Sequence, residues 1–279
     1  IRDRAGRTVT GKSIYDVSDG RVLLLDGGFG TMAMNGFTAD EIHEAYLRAG
    51  ADIIETDIAA SSHDGAAEAA RTARAAAERH TAMNPGRPRF AFGAVYPSGS
   101  NVPEHVEGLL DGGIDGIIFE TATSVKALVG SLETLASITA RRGIRVPVMV
   151  SATLTRESVL PSGETIADFY SAVRGFEPLA AGFNCSFGPE SLLKPLEELA
   201  GMSDMRIVAY PSAGLPDRDG RYPVTPAAFA AVVSEYLERG LADCVGGCCG
   251  TTPEYISALN GIVGRYTPRT MTKNKKRDL

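Results

Sequence analysis

Cys248 and Cys249 stand side by side in the stretch Val245-Gly-Gly-Cys-Cys-Gly-Thr-Thr-Pro-Glu-Tyr-Ile256. Two adjacent thiols at one turn suit a metal clamp or a redox pair, and a vicinal disulfide or a pair of inert buried thiols is the plainer alternative. The chain has four cysteines in 279 residues, and three of them fall between positions 244 and 249. So placed, they make no disulfide framework for a chain of this length, and a reducing compartment, the cytoplasm, is their natural setting. Thr252, Pro253 and Glu254 bring an N-cap hydroxyl, a proline at the first helical position and an early carboxylate. The cysteines therefore sit where a strand ends and a helix begins, which is where ligands bind in α/β proteins.

The elements that must position this turn repeat along the chain. Short apolar runs at 22–26, 52–55, 89–93, 115–120, 146–151, 181–184, 206–210 and 243–246 read as buried parallel strands. Helical patterns follow over 39–48, 64–81, 103–110, 124–142, 166–174, 189–201 and 225–239, with a last helix starting at Pro253. Eight such βα units predict an α/β fold, a single-domain (β/α)8 TIM barrel over 21–265, with an open doubly wound sheet as the alternative. Residues 1–20 lack a sustained period and read as an N-terminal arm, and 266–279 as a basic C-terminal tail carrying the run 273–277. A net charge of −6 with no basic face argues against a nucleic-acid partner. No apolar run approaches the roughly 18 residues of a membrane span, and the first residues lack the apolar segment of a signal peptide.

A barrel builds its active site from the C-terminal ends of its strands. Those ends carry Asp26; Glu55 with Thr56 and Asp57; Tyr96; Glu120; Ser151 with Thr153; Asn184 with Cys185; Tyr210 with Ser212; and Cys248 with Cys249. Closing the barrel brings Cys185 and the cysteine pair to neighbouring loops. Three thiolates with one open position describe a catalytic zinc site, and the open position suits a thiol substrate, because coordination holds its sulfur as a nucleophile at neutral pH. The reaction implied is attack by a substrate thiolate on an electrophilic carbon. Cys244, inside a strand, reads as a core thiol. His43, His63, His80 and His105 share no metal spacing, and His63 reads as an ordinary loop histidine.

Several segments carry a family likeness: Asp26-Gly-Gly-Phe-Gly-Thr31, Tyr46-Leu-Arg-Ala-Gly-Ala-Asp-Ile-Ile-Glu-Thr56, Gly182-Phe-Asn-Cys185, Tyr210-Pro-Ser-Ala-Gly-Leu-Pro216 and Gly246-Gly-Cys-Cys-Gly-Thr-Thr-Pro253. Over roughly 22–262 the chain resembles the homocysteine S-methyltransferase family, and within it the homocysteine-binding module of cobalamin-dependent methionine synthase. The resemblance implies a (β/α)8 barrel whose Zn2+ is held by Cys185, Cys248 and Cys249 and binds homocysteine through sulfur, with methionine as product. It also implies that Asp26 with Gly27, and Glu120, hold the amino acid portion of the substrate. Ser151 and Thr153 are candidate hydrogen-bond donors to it.

The chain departs from the family at four places. The segments from Thr31 to His43 and from Tyr96 to Leu110 are shorter, which predicts an open mouth or one completed by a partner. Asp57 stands where methionine synthases resemble Glu-Thr-Asn, and Ser212 stands where the family has an asparagine that serves as the exchangeable fourth zinc ligand. Folate- and cobalamin-binding modules have no room in 279 residues. The likeness thus implies methyl delivery from methylcobalamin on a separate corrinoid protein or module, with S-methylmethionine or a betaine as the alternative donor. A non-catalytic zinc-binding barrel acting as an assembly subunit, and a thiol redox protein, are the competing functions.

Overall fold

Eight apolar runs form the strands at the centre of the computed structural model, which describes residues 13–99 and 101–269. They are β1 (Leu23–Leu24), β2 (Ile53–Glu55), β3 (Phe90–Val95), β4 (Gly116–Ala122), β5 (Val148–Ala152), β6 (Ala180–Cys185), β7 (Arg206–Pro211) and β8 (Cys244–Val245). All pair in parallel, in the order β1-β8-β7-β6-β5-β4-β3-β2. The two ends of the sheet meet through a parallel bridge between Leu25 and Ile53, where the Asp26 N–H donates to the Ile53 carbonyl at 3.0 Å. The sheet is a nearly closed barrel in a single domain, and the open doubly wound alternative is excluded.

Strand pleating sorts the side chains into two cores. Leu23, Leu25, Ile53, Phe92, Ile118, Met149, Val208 and Cys244 fill the lumen. Their neighbours Leu24, Ile54, Ala91, Ile117, Val150, Ile207 and Val245 face the helices. Burial on both faces is why the strands read as continuous apolar runs and not as alternating ones. The outer ring is α3 (Ala39–Ala49), α4 (His63–Met83), α5 (Val102–Gly112), α6 (Val125–Arg142), α7 (Ile166–Val173), α8 (Leu193–Met202), α9 (Pro226–Glu238) and α10 (Pro253–Val263). Thr38 and Thr165 start α3 and α7 with capping boxes completed by Glu41 and Asp168.

Two helices precede this ring and were not expected. α1 (Ile14–Gly20) lies within the stretch assigned to an arm; Ser13 and Asp16 cap it reciprocally, and Ile14 and Val17 join the lumen core beside Leu23, Phe90 and Cys244. Because those are the N-terminal residues of their strands, α1 plugs the lower opening of the barrel. Its two apolar anchors are too few to show a helical period in sequence. α2 (Phe29–Met34) fills the turn after β1. Residues 1–12 and 270–279, including the basic run 273–277, lie outside the described residues. Arg269, in the stretch assigned to the tail, is tied to Asp243 through its backbone N–H at 2.7 Å and its Nε at 3.0 Å. Among the described residues no helix is long and apolar enough to cross a membrane.

Candidate active site

Cys185 ends β6, and Cys248 and Cys249 occupy the turn between β8 and α10. The three sulfurs lie within 4.8 Å of one another, and the Cys185 thiol donates to the Cys249 sulfur at 3.5 Å. A tetrahedral zinc ion with bonds of about 2.3 Å spaces its sulfur ligands by about 3.8 Å, so small side-chain shifts suffice for this triad to hold one. Cys244 stays fully buried in the lumen, where burial raises its thiol pKa, and it does not join the cluster.

Backbone geometry sets the cluster. In an unbroken strand Cys185 would follow Ala181 and Phe183 toward the helices. Instead Cys185 (φ 55°) and Ser186 (φ 58°) are left-handed and turn the chain at the mouth. Such residues cost about 1 kcal/mol or more each, and the cost is tolerated where the surroundings fix them. Here the Cys185 carbonyl accepts from the Ser212 N–H, the Cys248 N–H donates to the Pro211 carbonyl, and the Cys249 carbonyl accepts from the Ala213 N–H, each at 2.9 Å. The Thr251 hydroxyl donates to the Cys248 carbonyl at 2.7 Å and accepts from the Gly28 N–H at 3.0 Å, which ties the cysteine turn to the turn after β1. Only glycine fits that second turn closely: a Cβ on Gly27 would fall 2.8 Å from the Thr251 hydroxyl, and one on Gly28 2.8 Å from the Cys248 carbonyl.

A buried amide supports the thiols from below. Asn184 Oδ1 accepts from the Thr121 N–H at 3.0 Å and from the Ser151 hydroxyl at 2.9 Å. Its Nδ2 donates to the Thr121 hydroxyl at 2.7 Å and to the Cys248 sulfur at 3.6 Å. Since Ser151 spends its one proton on Asn184, the Tyr210 hydroxyl is the donor in the short Tyr210–Ser151 contact. Both hydrogens and both lone pairs of the amide are thereby committed, and Asn184 has one orientation.

Three carboxylates share the mouth with the thiols. Burial pushes Asp26 well above the usual carboxylate range, against the Glu55 N–H that donates to it at 2.9 Å, and the charge of Glu120 raises it further. Glu55 is raised by burial, then by Glu120 and Asp26. Glu120 is pushed up to about 7 by burial and by the neighbouring charge of Cys249. No arginine or lysine answers any of the three among the described residues. Within the thiol cluster, hydrogen bonds from Cys185 and Cys248 hold Cys249 down to about 3. Cys185 is lowered by its contact with Cys248 but raised more by Cys249 and burial, to about 12. Cys248 is raised by its hydrogen bonds with Cys185 and Cys249 and by burial. The shifts favour a thiolate at Cys249 that receives the other two thiols, and a divalent metal bound there would supply the charge that releases their protons.

The sequence model of the homocysteine S-methyltransferase family matches residues 23–263, from β1 to the end of α10. The chain belongs to that family. As a homocysteine S-methyltransferase it is an enzyme of thiol methylation. Its fold is similar to crystal structures of the homocysteine methyltransferase MmuM from Escherichia coli. The metallated form has a TM-score of 0.70 and 23% identity, with 88% of this chain and 97% of that chain covered. The apo form has a TM-score of 0.67 and 26% identity, with 90% and 98% covered. A rubisco-like protein from Burkholderia fungorum shares only the barrel, at 13% identity and a TM-score of 0.54, with 89% of this chain and 62% of that chain covered.

The remaining residues singled out in the methyltransferase sequence fall at different depths. Ser151 is fully buried and committed to Asn184, so it supports the site from beneath. Thr153 and Ser212 flank Ser186: the Thr153 and Ser186 hydroxyls lie 3.5 Å apart, and the Ser212 hydroxyl donates to the Ser186 carbonyl at 3.3 Å. Asp57 caps its own turn by accepting from the Ala59 N–H at 2.9 Å, and no contact joins it to the thiols among the described residues. Thr252 begins α10, but its hydroxyl donates to Glu254 and makes no bond to a helix amide. His63 opens α4 on the surface, where Asp64 and Asp111 raise its pKa. Glu55, Asn184 and Thr251 are the contributors whose roles the sequence did not show. The first two stand at strand ends, which is the one signal that marks them.

Proposed function

We propose that this homocysteine S-methyltransferase holds zinc on Cys185, Cys248 and Cys249 and methylates homocysteine to methionine at that centre. The observation that carries the reading is a three-thiol cluster placed beside buried carboxylates that lack a protein cation. Zinc bound there supplies a Lewis acid that keeps the substrate sulfur a thiolate at neutral pH. Asp26 and Glu120, with Glu55 behind them, receive the substrate ammonium, which provides the positive charge their burial demands. The turn at Gly27 takes the carboxylate end of the substrate. Thr153 and Ser212 line the rim beside Cys185, and Asn184, held by Ser151, steadies Cys248. Asp57, an acid near this rim, disfavours a second anion.

In the transfer the homocysteine thiolate forms a bond to the methyl carbon, and the bond from that carbon to the donor breaks with its electron pair leaving on the donor. We assign the donor role to methylcobalamin on a corrinoid protein or module, on the likeness of 210–216 and 246–253 to methionine synthase. A centre built on three thiolates supports a reducing compartment, the cytoplasm, as its setting. Turnover of homocysteine is to be compared with methylcobalamin, S-methylmethionine and betaine as donors. Methionine formation with methylcobalamin supports the reading; turnover with a small donor alone replaces the corrinoid part, and failure with all three removes homocysteine methylation at this centre.

A further inference from the structure

The segment between β7 and α9 returns over the mouth of the barrel and is fixed there from both sides. The Ala213 N–H donates to the Cys249 carbonyl at 2.9 Å, and the Ala213 carbonyl accepts from the Val224 N–H at 3.1 Å. Tyr255 of α10 donates to the Val224 carbonyl at 2.6 Å. At the tip, Asp217 accepts from the Asp219 and Arg221 N–H groups, each at 2.9 Å. These ties bring the Tyr222 ring against the cysteine turn: a Cβ built on Gly250 would fall 2.2 Å from its Cγ and Cδ1. The ring packs on the hydrophobic layer around the barrel and is partly buried. Its hydroxyl makes no protein hydrogen bond among the described residues. Burial raises this phenol, and the charges of Cys249, Cys185 and Cys248 raise it further, in keeping with a ring packed beside the turn that carries two of those cysteines.

We propose that Tyr222 is a catalytic residue of the substrate-sulfur site, whose phenol O–H donates a hydrogen bond to the sulfur of the bound thiol while its ring shields that sulfur from water. The proposal rests on the thiol-binding reading above and adds a contact to it. A neutral phenol on a ring packed against Gly250, next to Cys249, has no acceptor of its own among the described residues, and an incoming thiolate is the acceptor that the cluster admits. Hydrogen bonds to a charged acceptor are the strong ones. A side chain at residue 250 would displace the ring, and the left-handed backbone there (φ 79°) favours glycine as well.

The test uses zinc-loaded wild type and Tyr222→Phe, with three affinities measured: zinc by chelator competition, homocysteine by titration calorimetry, and 2-aminobutyrate, which has the amino acid portion without sulfur, by competition. Tyr222→Phe is expected to weaken homocysteine about 10-fold, the loss of one hydrogen bond to a charged acceptor, and to leave zinc and 2-aminobutyrate unchanged. Gly250→Ala, which pushes the ring away while keeping the phenol, is expected to weaken homocysteine at least as much. Unchanged homocysteine affinity in Tyr222→Phe overturns the proposal. A parallel loss of zinc overturns it in favour of a metal ligand, and equal losses for both amino acids overturn it in favour of a general packing role. Wild-type protein that binds zinc but not homocysteine removes the thiol-site reading itself.

Discussion

At the N-terminal end of the barrel, Asp52 is wholly buried and meets three arginines. Arg21 grips both of its oxygens, while Arg87 Nε and Arg89 Nη1 reach Oδ1 at 2.9 and 3.1 Å, and the Leu24 N–H reaches Oδ2 at 3.0 Å. Asp243 is answered in the same way by Arg269 and by the Ile207 N–H at 2.8 Å. At the C-terminal end, Asp26 and Glu55 are buried and Glu120 is partly buried, with no arginine among them, and their acidity is pushed down. Buried charge that is paired is compatible with stability, whereas buried charge left unpaired marks a place prepared for a ligand. One fold thus assigns the same residue type to structure at one end and to binding at the other.

The largest expected effect separates the two ends completely. Cys248→Ser removes one of three metal ligands, so methyl transfer falls below detection and zinc is lost on gel filtration, while the circular dichroism melt of the metal-free protein stays close to wild type. Asp52→Ala acts in the opposite sense. It leaves three arginines facing one another and costs about 3–5 kcal/mol in urea unfolding, with zinc binding to the remaining folded protein unaffected. If Asp52→Ala instead altered zinc affinity and spared stability, the division between the ends would fail.

A smaller effect is expected beneath the thiols. Asn184→Ala deletes the donor to Cys248 and the amide that fixes Thr121, and zinc affinity drops about 10–100-fold in chelator competition. The smallest concerns pH. The Glu120 carboxyl is raised from 4.5 to about 7, so the folded protein binds this proton more tightly than the unfolded chain. Its contribution to stability is fully present below pH 4.5 and is lost as the pH rises through about 7. Urea midpoints of metal-free wild type are therefore expected to fall across that window, and Glu120→Gln to flatten the fall. A wild-type midpoint that rises there would show that Glu120 has found a cation.

The barrel was legible because its strands are buried on both faces and so appear as eight separate apolar runs, and because Cys185 and the cysteine pair fall at strand ends. Pleating alone, however, sends Cys185 toward the helices. The left-handed backbone at Cys185 and Ser186 that turns the chain at the mouth depends on hydrogen bonds from the β7 loop, which lies more than twenty residues away. α1 escaped notice because a plug of two apolar side chains has no period. The role of Asn184 escaped because it depends on contacts from β4, β5 and the turn after β8 at once. Asp57 drew attention as an extra acid at the rim, and its carboxylate also caps its own turn, a local contact that the sequence did not show.

The central claim is that three cysteines hold zinc with one position open to the substrate sulfur. X-ray absorption at the zinc edge, recorded before and after addition of homocysteine, tests it most directly. The expected result is about one zinc per chain with three sulfur neighbours and one lighter atom, changing to four sulfurs when homocysteine binds. Four sulfurs from the outset, or a shell that homocysteine leaves unchanged, would contradict it.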